Sequence, residues 1–171
     1  IKLILNSKKT VIVAGGGIKY NSKFKSVTKL AEFLNIPIVT AAGHGDAIPF
    51  SHKLNAGQMG PRGNIVASRL VKEAELIIAI GTRLGFNSTF YSYDNINKNA
   101  KIVQIELEKT MIGRYFPVNV GIHGDAALVT DQILAELRKQ KKIFNYKEWT
   151  NSFLLELSLI HILRCRRLLT C

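Results

Sequence analysis

The chain has 171 residues, 47% apolar and 21% charged, which suits one domain, or one domain with a tail, and excludes disorder by composition. No apolar run approaches the roughly 18 to 20 residues of a membrane helix. The formal charge is +12, and setting aside Arg164, Arg166 and Arg167 at the C-terminal end lowers it only to +9.

That charge is scattered along the chain. Its densest run, Arg138 to Lys142, falls at an expected helix C-terminus, where cations complement the helix dipole. A nucleic-acid partner is therefore not expected. The start, Ile1-Lys2-Leu3-Ile4-Leu5, has neither Met nor a signal-peptide layout and reads as an internal cut, with residues 1–8 as the end of a linker helix.

Thr10 to Ala14 is a short β-branched run ending in Gly15-Gly16-Gly17, which predicts a strand and a tight turn. From Ser22, apolar residues Phe24, Val27, Leu30, Ala31 and Leu34 recur at helical spacing until Asn35 and Pro37 stop them. Ile36 to Ala41 predicts a second strand, delivering the loop Gly43 to Pro49. A second glycine loop is expected from Gly57 to Gly63, followed by Asn64 as the N-cap of a helix carrying Ile65, Val66 and Leu70.

Leu76 to Ile80 is apolar throughout, as strands buried on both faces are, and it delivers Gly81-Thr82-Arg83. Lys101 to Glu106 and Val118 to Ile122 predict further strands, the latter ending in Gly124-Asp125. A last helix from Ala126 carries Val129, Ile133, Leu134 and Leu137. This alternation predicts a three-layer α/β Rossmann-like domain around a parallel sheet.

Ligands of such sheets bind beyond the carboxyl ends of the strands. That edge is expected to hold Gly15 to Gly17, Thr40 to His44, Gly81 to Arg83, Glu106 to Glu108, and Gly124-Asp125. Glycines admit a phosphate to the backbone, Arg83 offers a forked cation, and Glu106 offers an acceptor to a ribose hydroxyl. A nucleotide pocket and an empty set of folding glycines both satisfy this pattern. The nicotinamide fingerprint is incomplete, because Tyr20 stands where its third glycine belongs. Phe90-Tyr91-Ser92-Tyr93 is either a stacking surface for a ring or a packed loop. His44, His52 and His123 lack metal-ligand spacing and are expected in loops or at the surface.

These segments, in this order, resemble the central domain of thiamine diphosphate enzymes over roughly Lys9 to Leu137. The resemblance rests on Val11 to Gly17, Leu34 to Thr40, Asn55 to Gly63, Ala74 to Arg83, Ile102 to Glu106, and Val120 to Asp125. It is strongest to the acetolactate synthase large subunit, while Gly81 to Phe86 with Met111-Ile112-Gly113 also resembles sulfoacetaldehyde acetyltransferase. The resemblance implies about six parallel strands and a carboligase or decarboxylase acting on 2-oxo acids, in the cytoplasm and as a homo-oligomer. It makes residues 9–142 the central domain and places thiamine diphosphate and Mg²⁺ in flanking domains outside this chain, so that the fragment alone has no turnover, no catalytic residue and no metal ligand.

The middle domain of such enzymes holds FAD, ADP or nothing. The residues matching its nucleotide motifs are Gly15, Gly16, Gly17, Gly60, Gly63, Gly81, Thr82, Arg83, Glu106 and Asp125. After Arg83 the chain has Leu84-Gly85-Phe86-Asn87 where acetolactate synthases have Phe-Asp-Asp-Arg, and Glu106 stands where they usually have Asp. The alternatives are a sulfoacetaldehyde acetyltransferase-like enzyme and a freestanding nucleotide-binding module without catalysis.

Residues 143–156 are expected to form a linker toward a further domain, with Trp149 as an exposed aromatic. Residues 157–171 change composition, carry both cysteines, and read as a non-native adapter-derived tail. The alternative for that tail is a basic amphipathic helix for a membrane surface or a partner.

Overall fold

The computed structural model describes residues 1–20, 23–140 and 146–168, with side chains described as far as Ser158. Its core is a six-stranded parallel sheet in the order β3-β2-β1-β4-β5-β6. The strands are β1 (Thr10–Ala14), β2 (Ile38–Thr40), β3 (Asn55–Gln58), β4 (Leu76–Ile80), β5 (Lys101–Glu106) and β6 (Val120–His123). The helices are α1 (Lys2–Asn6), α2 (Phe24–Leu34), α3 (Ile65–Glu73), α4 (Phe86–Thr89), α5 (Ala126–Lys139) and α6 (Lys147–Leu168).

Side chains alternate across a strand, so each central strand feeds two cores. Ile12, Ala14, Ile78 and Ile80 pack under Val27, Leu30 and Leu34 of α2 and Leu134 and Leu137 of α5. Val11, Val13, Ile77 and Ala79 pack on the other face under Val66, Leu70 and Val71 of α3. This is the three-layer arrangement expected, and it explains why β4 is apolar at every position and β1 at every position after Thr10.

Two helix ends follow the local chemistry read from the sequence. Asn35 ends α2 in the left-handed region (φ 54°), and the Asn64 side chain accepts the Val66 N–H at the start of α3. Asp125 caps α5 by accepting from Ala127 N (2.9 Å) and Leu128 N (3.2 Å), and it also pairs with Lys23. The Lys23 hydrogen bond, helped by the two backbone donors, holds the Asp125 carboxyl below the usual carboxylate range. A depressed carboxylate contributes stability above its unfolded pKa, near 4, and that contribution disappears as pH falls through the folded value. Asp125→Asn keeps the cap but removes the charge, so its stability-versus-pH curve is expected to flatten below about pH 4. Urea melts at pH 3 and pH 6 check this. An equal loss of stability for both proteins on acidification would exclude it.

Three sequence expectations change. Asn55-Ala56-Gly57-Gln58, expected partly as loop, begins with strand β3. It pairs with β2 at the sheet edge with an irregular register, although its composition has little strand character. The second strand is shorter than expected, Ile38–Thr40.

Trp149 is buried at 8% exposure, which corrects the exposed linker aromatic. Its indole Nε1 donates to Thr10 O at 3.0 Å, and Phe153 beside it is 2% exposed under α3. Tyr146 OH donates to Ile4 O at 2.6 Å and Thr150 Oγ1 to Asn35 O at 2.5 Å. Helix α6 thus begins as part of this domain, and it continues to Leu168 across the composition change at Leu157. Ser22, residues 141–145 of the expected helix end and linker, and residues 169–171 of the tail lie outside the described residues.

Candidate functional site

The sheet reverses its winding between β1 and β4, so the connections leave to opposite faces and open a crevice at their carboxyl ends. The two exit turns meet there glycine against glycine. Gly15 N donates to Ile80 O and Gly17 N to Gly81 O, both at 3.0 Å. A Cβ on Gly15 would stand 2.3 Å from Gly81 O, and one on Gly17 would stand 2.8 Å from Gly81 Cα. Gly81 itself takes φ +59°, which an L side chain adopts only with strain.

Above this floor lies a cavity of about 500 Å³, within the usual range for small-molecule sites. Gly16, Gly17, Lys19 and Tyr20 line it after β1, and Ala41, Ala42 and His44 after β2. Gly81, Thr82, Arg83 and the start of α4 line it after β4, with Tyr91 beyond; Glu106 and Tyr115 close the β5 side.

Buried polar bonds hold these walls in place. Gln104, 2% exposed, donates through Nε2 to Thr82 O and Met111 O and accepts from Gly113 N. Ser88 Oγ accepts the Ala42 N–H at 2.9 Å, tying the β2 loop to α4. Thr89, fully buried, donates through Oγ1 toward Leu84 O and Gly85 O and accepts from Tyr91 N. Leu84, Phe90 and Tyr91 in this loop all take positive φ, between 50° and 55°. Backbone held this way in several bulky residues marks a loop whose shape is imposed by its contacts.

The electrostatics of the cavity are divided. Arg83 is exposed on the rim and forms no ion pair among the described residues. Lys19 pairs with Asp46 at 2.7 Å, and that hydrogen bond holds the Asp46 carboxyl below its usual range. At the other end Glu106 Oε1 accepts from Leu107 N (2.9 Å) and Glu108 N (3.4 Å), while its second oxygen has no partner among the described residues. The rings of Tyr91 and Tyr115 stack on each other at 4.5 Å beside it.

The cavity at the switch point thus has a glycine floor with Lys19, Arg83 and Glu106 on its lining. The family model described as thiamine pyrophosphate enzyme, central domain, matches residues 1–133. The chain belongs to this family. Over 138 residues it is 39% identical to sulfoacetaldehyde acetyltransferase of Roseovarius nubinhibens, a match covering 80% of this chain and 23% of that protein. It is 34% identical over 152 residues to a probable acetolactate synthase large subunit of Methanococcus aeolicus, covering 86% and 25% respectively. The acetolactate synthase large subunit of Buchnera aphidicola subsp. Schizaphis graminum is 29% identical over 155 residues, covering 89% and 26%. The chain thus spans about a quarter of the length of these relatives.

As a central domain of this family, the chain brings Gly16, Gly17, Gly81, Thr82, Arg83 and Glu106 together around one cavity. Gly15 lies beneath it, packed on Gly81 and Thr82. Gly60 and Gly63 are not in its lining. A Cβ on Gly60 would lie 2.7 Å from Asn87 O, and one on Gly63 would lie 2.2 Å from Gln58 O. Asp125 is not in the lining and is committed to α5 and Lys23.

Sequence reading placed His44 on the ligand edge but did not select Lys19, Tyr20, Asn87, Ser88 or Tyr115 for the wall. His44 and Tyr91 were visible as a strand-end loop and an aromatic cluster, the signals that mark them now. His52 instead lies near Glu32, with Nε2 3.3 Å from Oε1, and His123 Nε2 faces Leu107 O at 3.0 Å. Among the described residues no three His, Cys, Asp or Glu side chains form a metal-binding group, and no helix is long and apolar enough to cross a membrane.

Proposed function

We propose that this chain is the middle domain of a thiamine diphosphate-dependent transferase or lyase acting on 2-oxo acids, and that its cavity binds an adenine nucleotide, ADP or FAD. Membership of the family and relatives named as acetyl-transferring and acetolactate-forming enzymes support the first part. The single observation that carries the second is the cavity itself. It combines a floor that only glycines fit with an Arg83 and a Glu106 oxygen that have no partner among the described residues.

Thiamine diphosphate supplies such enzymes with the electron sink for breaking the bond beside a 2-oxo group. Among the described residues no three His, Cys, Asp or Glu side chains form a metal-binding group. The thiamine diphosphate site is assigned to parts of the enzyme beyond these residues, and flanking domains are the expected partners. Within this chain, Gly16 and Gly17 admit the nucleotide phosphates, Arg83 neutralises them, and Glu106 accepts a ribose hydroxyl.

Calorimetric titration of the 171-residue chain with ADP and with FAD tests the nucleotide reading. Arg83→Ala is expected to weaken binding by about 1.5–3 kcal/mol, the range of a hydrogen bond to a charged group. An unchanged affinity removes Arg83 from the site, and saturable binding of neither nucleotide removes the reading.

A further inference from the structure

The mechanism sketched above leaves His44 unused, yet its ring lines the cavity beside the β1 turn. Neither ring nitrogen has a hydrogen-bond partner among the described residues, and Nδ1 is shielded from solvent as well. A buried polar atom without a partner costs free energy, and groups kept in that condition need an explanation. The neighbouring backbone holds the residue firmly: His44 N donates to Ala41 O at 3.0 Å and His44 O accepts from Ala47 N at 2.9 Å. The ring itself rests on Gly16, where a Cβ would stand 2.8 Å from Cε1. Removing one side chain from the β1 turn has made room for the other beside it.

The position along the sheet says what the ring meets. His44 follows β2 and Glu106 ends β5, and the order β2-β1-β4-β5 separates these exits by three strand spacings, about 14 Å at roughly 4.8 Å each. A ligand touching both is elongated, with hydroxyls at the Glu106 end. Its anionic part crosses the glycine floor between Gly17 and Arg83 and ends at the β2 side. There Lys19 and Asp46 form an ion pair two residues beyond His44 and join the loops that follow β1 and β2.

Resting on the nucleotide reading above, we propose that His44 donates its Nε2–H, the ring nitrogen not shielded from solvent, to the terminal phosphate of a nucleoside diphosphate, and so selects ADP over both AMP and FAD. AMP ends before reaching it. In FAD the second phosphate is esterified and carries less charge, so it is a weaker acceptor for the ring N–H.

Titrations of the 171-residue chain with ADP, AMP and FAD test this, on wild type, His44→Ala and His44→Gln. In wild type ADP is expected to bind at least about tenfold tighter than AMP, the effect of one charge-assisted hydrogen bond. His44→Ala is expected to abolish that preference with AMP affinity unchanged, and to alter FAD affinity less than threefold, about half of that free-energy change. His44→Gln keeps a side-chain donor and is expected to retain part of the preference, which covers the case of an alanine variant that does not fold. Equal weakening of ADP and AMP would mean that His44 only packs the wall, and equal weakening of ADP and FAD would move the contact to a phosphate common to both. Either result overturns the assignment and leaves the nucleotide reading standing. Failure of wild type to bind any of the three overturns both.

Discussion

Phe153→Ala is expected to lower the unfolding free energy of the chain by about 3–5 kcal/mol, the cost of removing a buried aromatic from a well-packed core. Phe153 lies in α6, beyond residues 1–133 of the family match, yet it is 2% exposed and packed with Trp149 against α3. Arg69 of α3 reaches across to Glu156 at 2.7 Å on the same helix pair. The helix therefore completes the second core. Leu155→Ala, one turn face away at 66% exposure, is the control and is expected to change stability by no more than about 0.5 kcal/mol. Urea denaturation of both variants at one pH makes the measurement. A loss below about 1 kcal/mol for Phe153→Ala would show that α6 only rests on the sheet.

The second large effect is expected at the floor of the cavity. Gly81→Ala places a side chain at φ +59°, which costs about 1–2 kcal/mol. It also brings Cβ to 2.8 Å from Gly17 Cα and 3.0 Å from Gly17 C, and overpacking of this kind adds about 1–3 kcal/mol. Backbone on the opposing turn has no rotamer through which to yield. The exits of β1 and β4 must then separate, so nucleotide affinity is expected to fall together with stability. Gly85→Ala provides the contrast at the same cavity. Its φ is −74° and nothing stands within 4 Å of its Cβ position, so stability is expected to stay level or rise by up to about 1 kcal/mol. Thermal melts of the two variants decide between them. Equal tolerance of both would mean that the turns are looser than their packing indicates.

The contrast between these glycines also shows what a sequence reveals about such a domain. β1 and β4 were readable because a strand covered on both faces needs mostly apolar residues, and Val11–Ala14 and Leu76–Ile80 supply them. β3 was not, because Asn55–Gln58 is held by edge pairing and by Asn55 contacts with the Pro49 carbonyl and the Gly57 N–H, none of which has a periodic signature. Trp149 was misplaced for a related reason. Its partner Thr10 lies 139 residues away, and no local pattern foretells that meeting.

At the cavity, residues directly at strand ends were legible: Gly16, Gly17, Gly81, Thr82, Arg83 and Glu106 all fall on its lining. Lys19, Tyr20 and Tyr115 reach the lining from turns whose course depends on tertiary contacts. Tyr20, read as a missing glycine, stands on the wall as a side chain in its own right. His44 stands on the ligand edge that its position after β2 implies, and its unpartnered nitrogens pose a question that position alone does not.

The bonds from Tyr146 and Trp149 to Ile4 and Thr10 carry a consequence for the order of events during synthesis. They close loops of 142 and 139 residues, so they form only once nearly the whole domain has left the ribosome. Until then β1, central in the finished sheet, lies ready beside β2 and β4 while the part of α3 and β1 that α6 covers faces water. A ribosome pausing before Tyr146 would hold out a nascent chain with a nearly complete sheet and one uncovered flank. That flank is where a chaperone would find it.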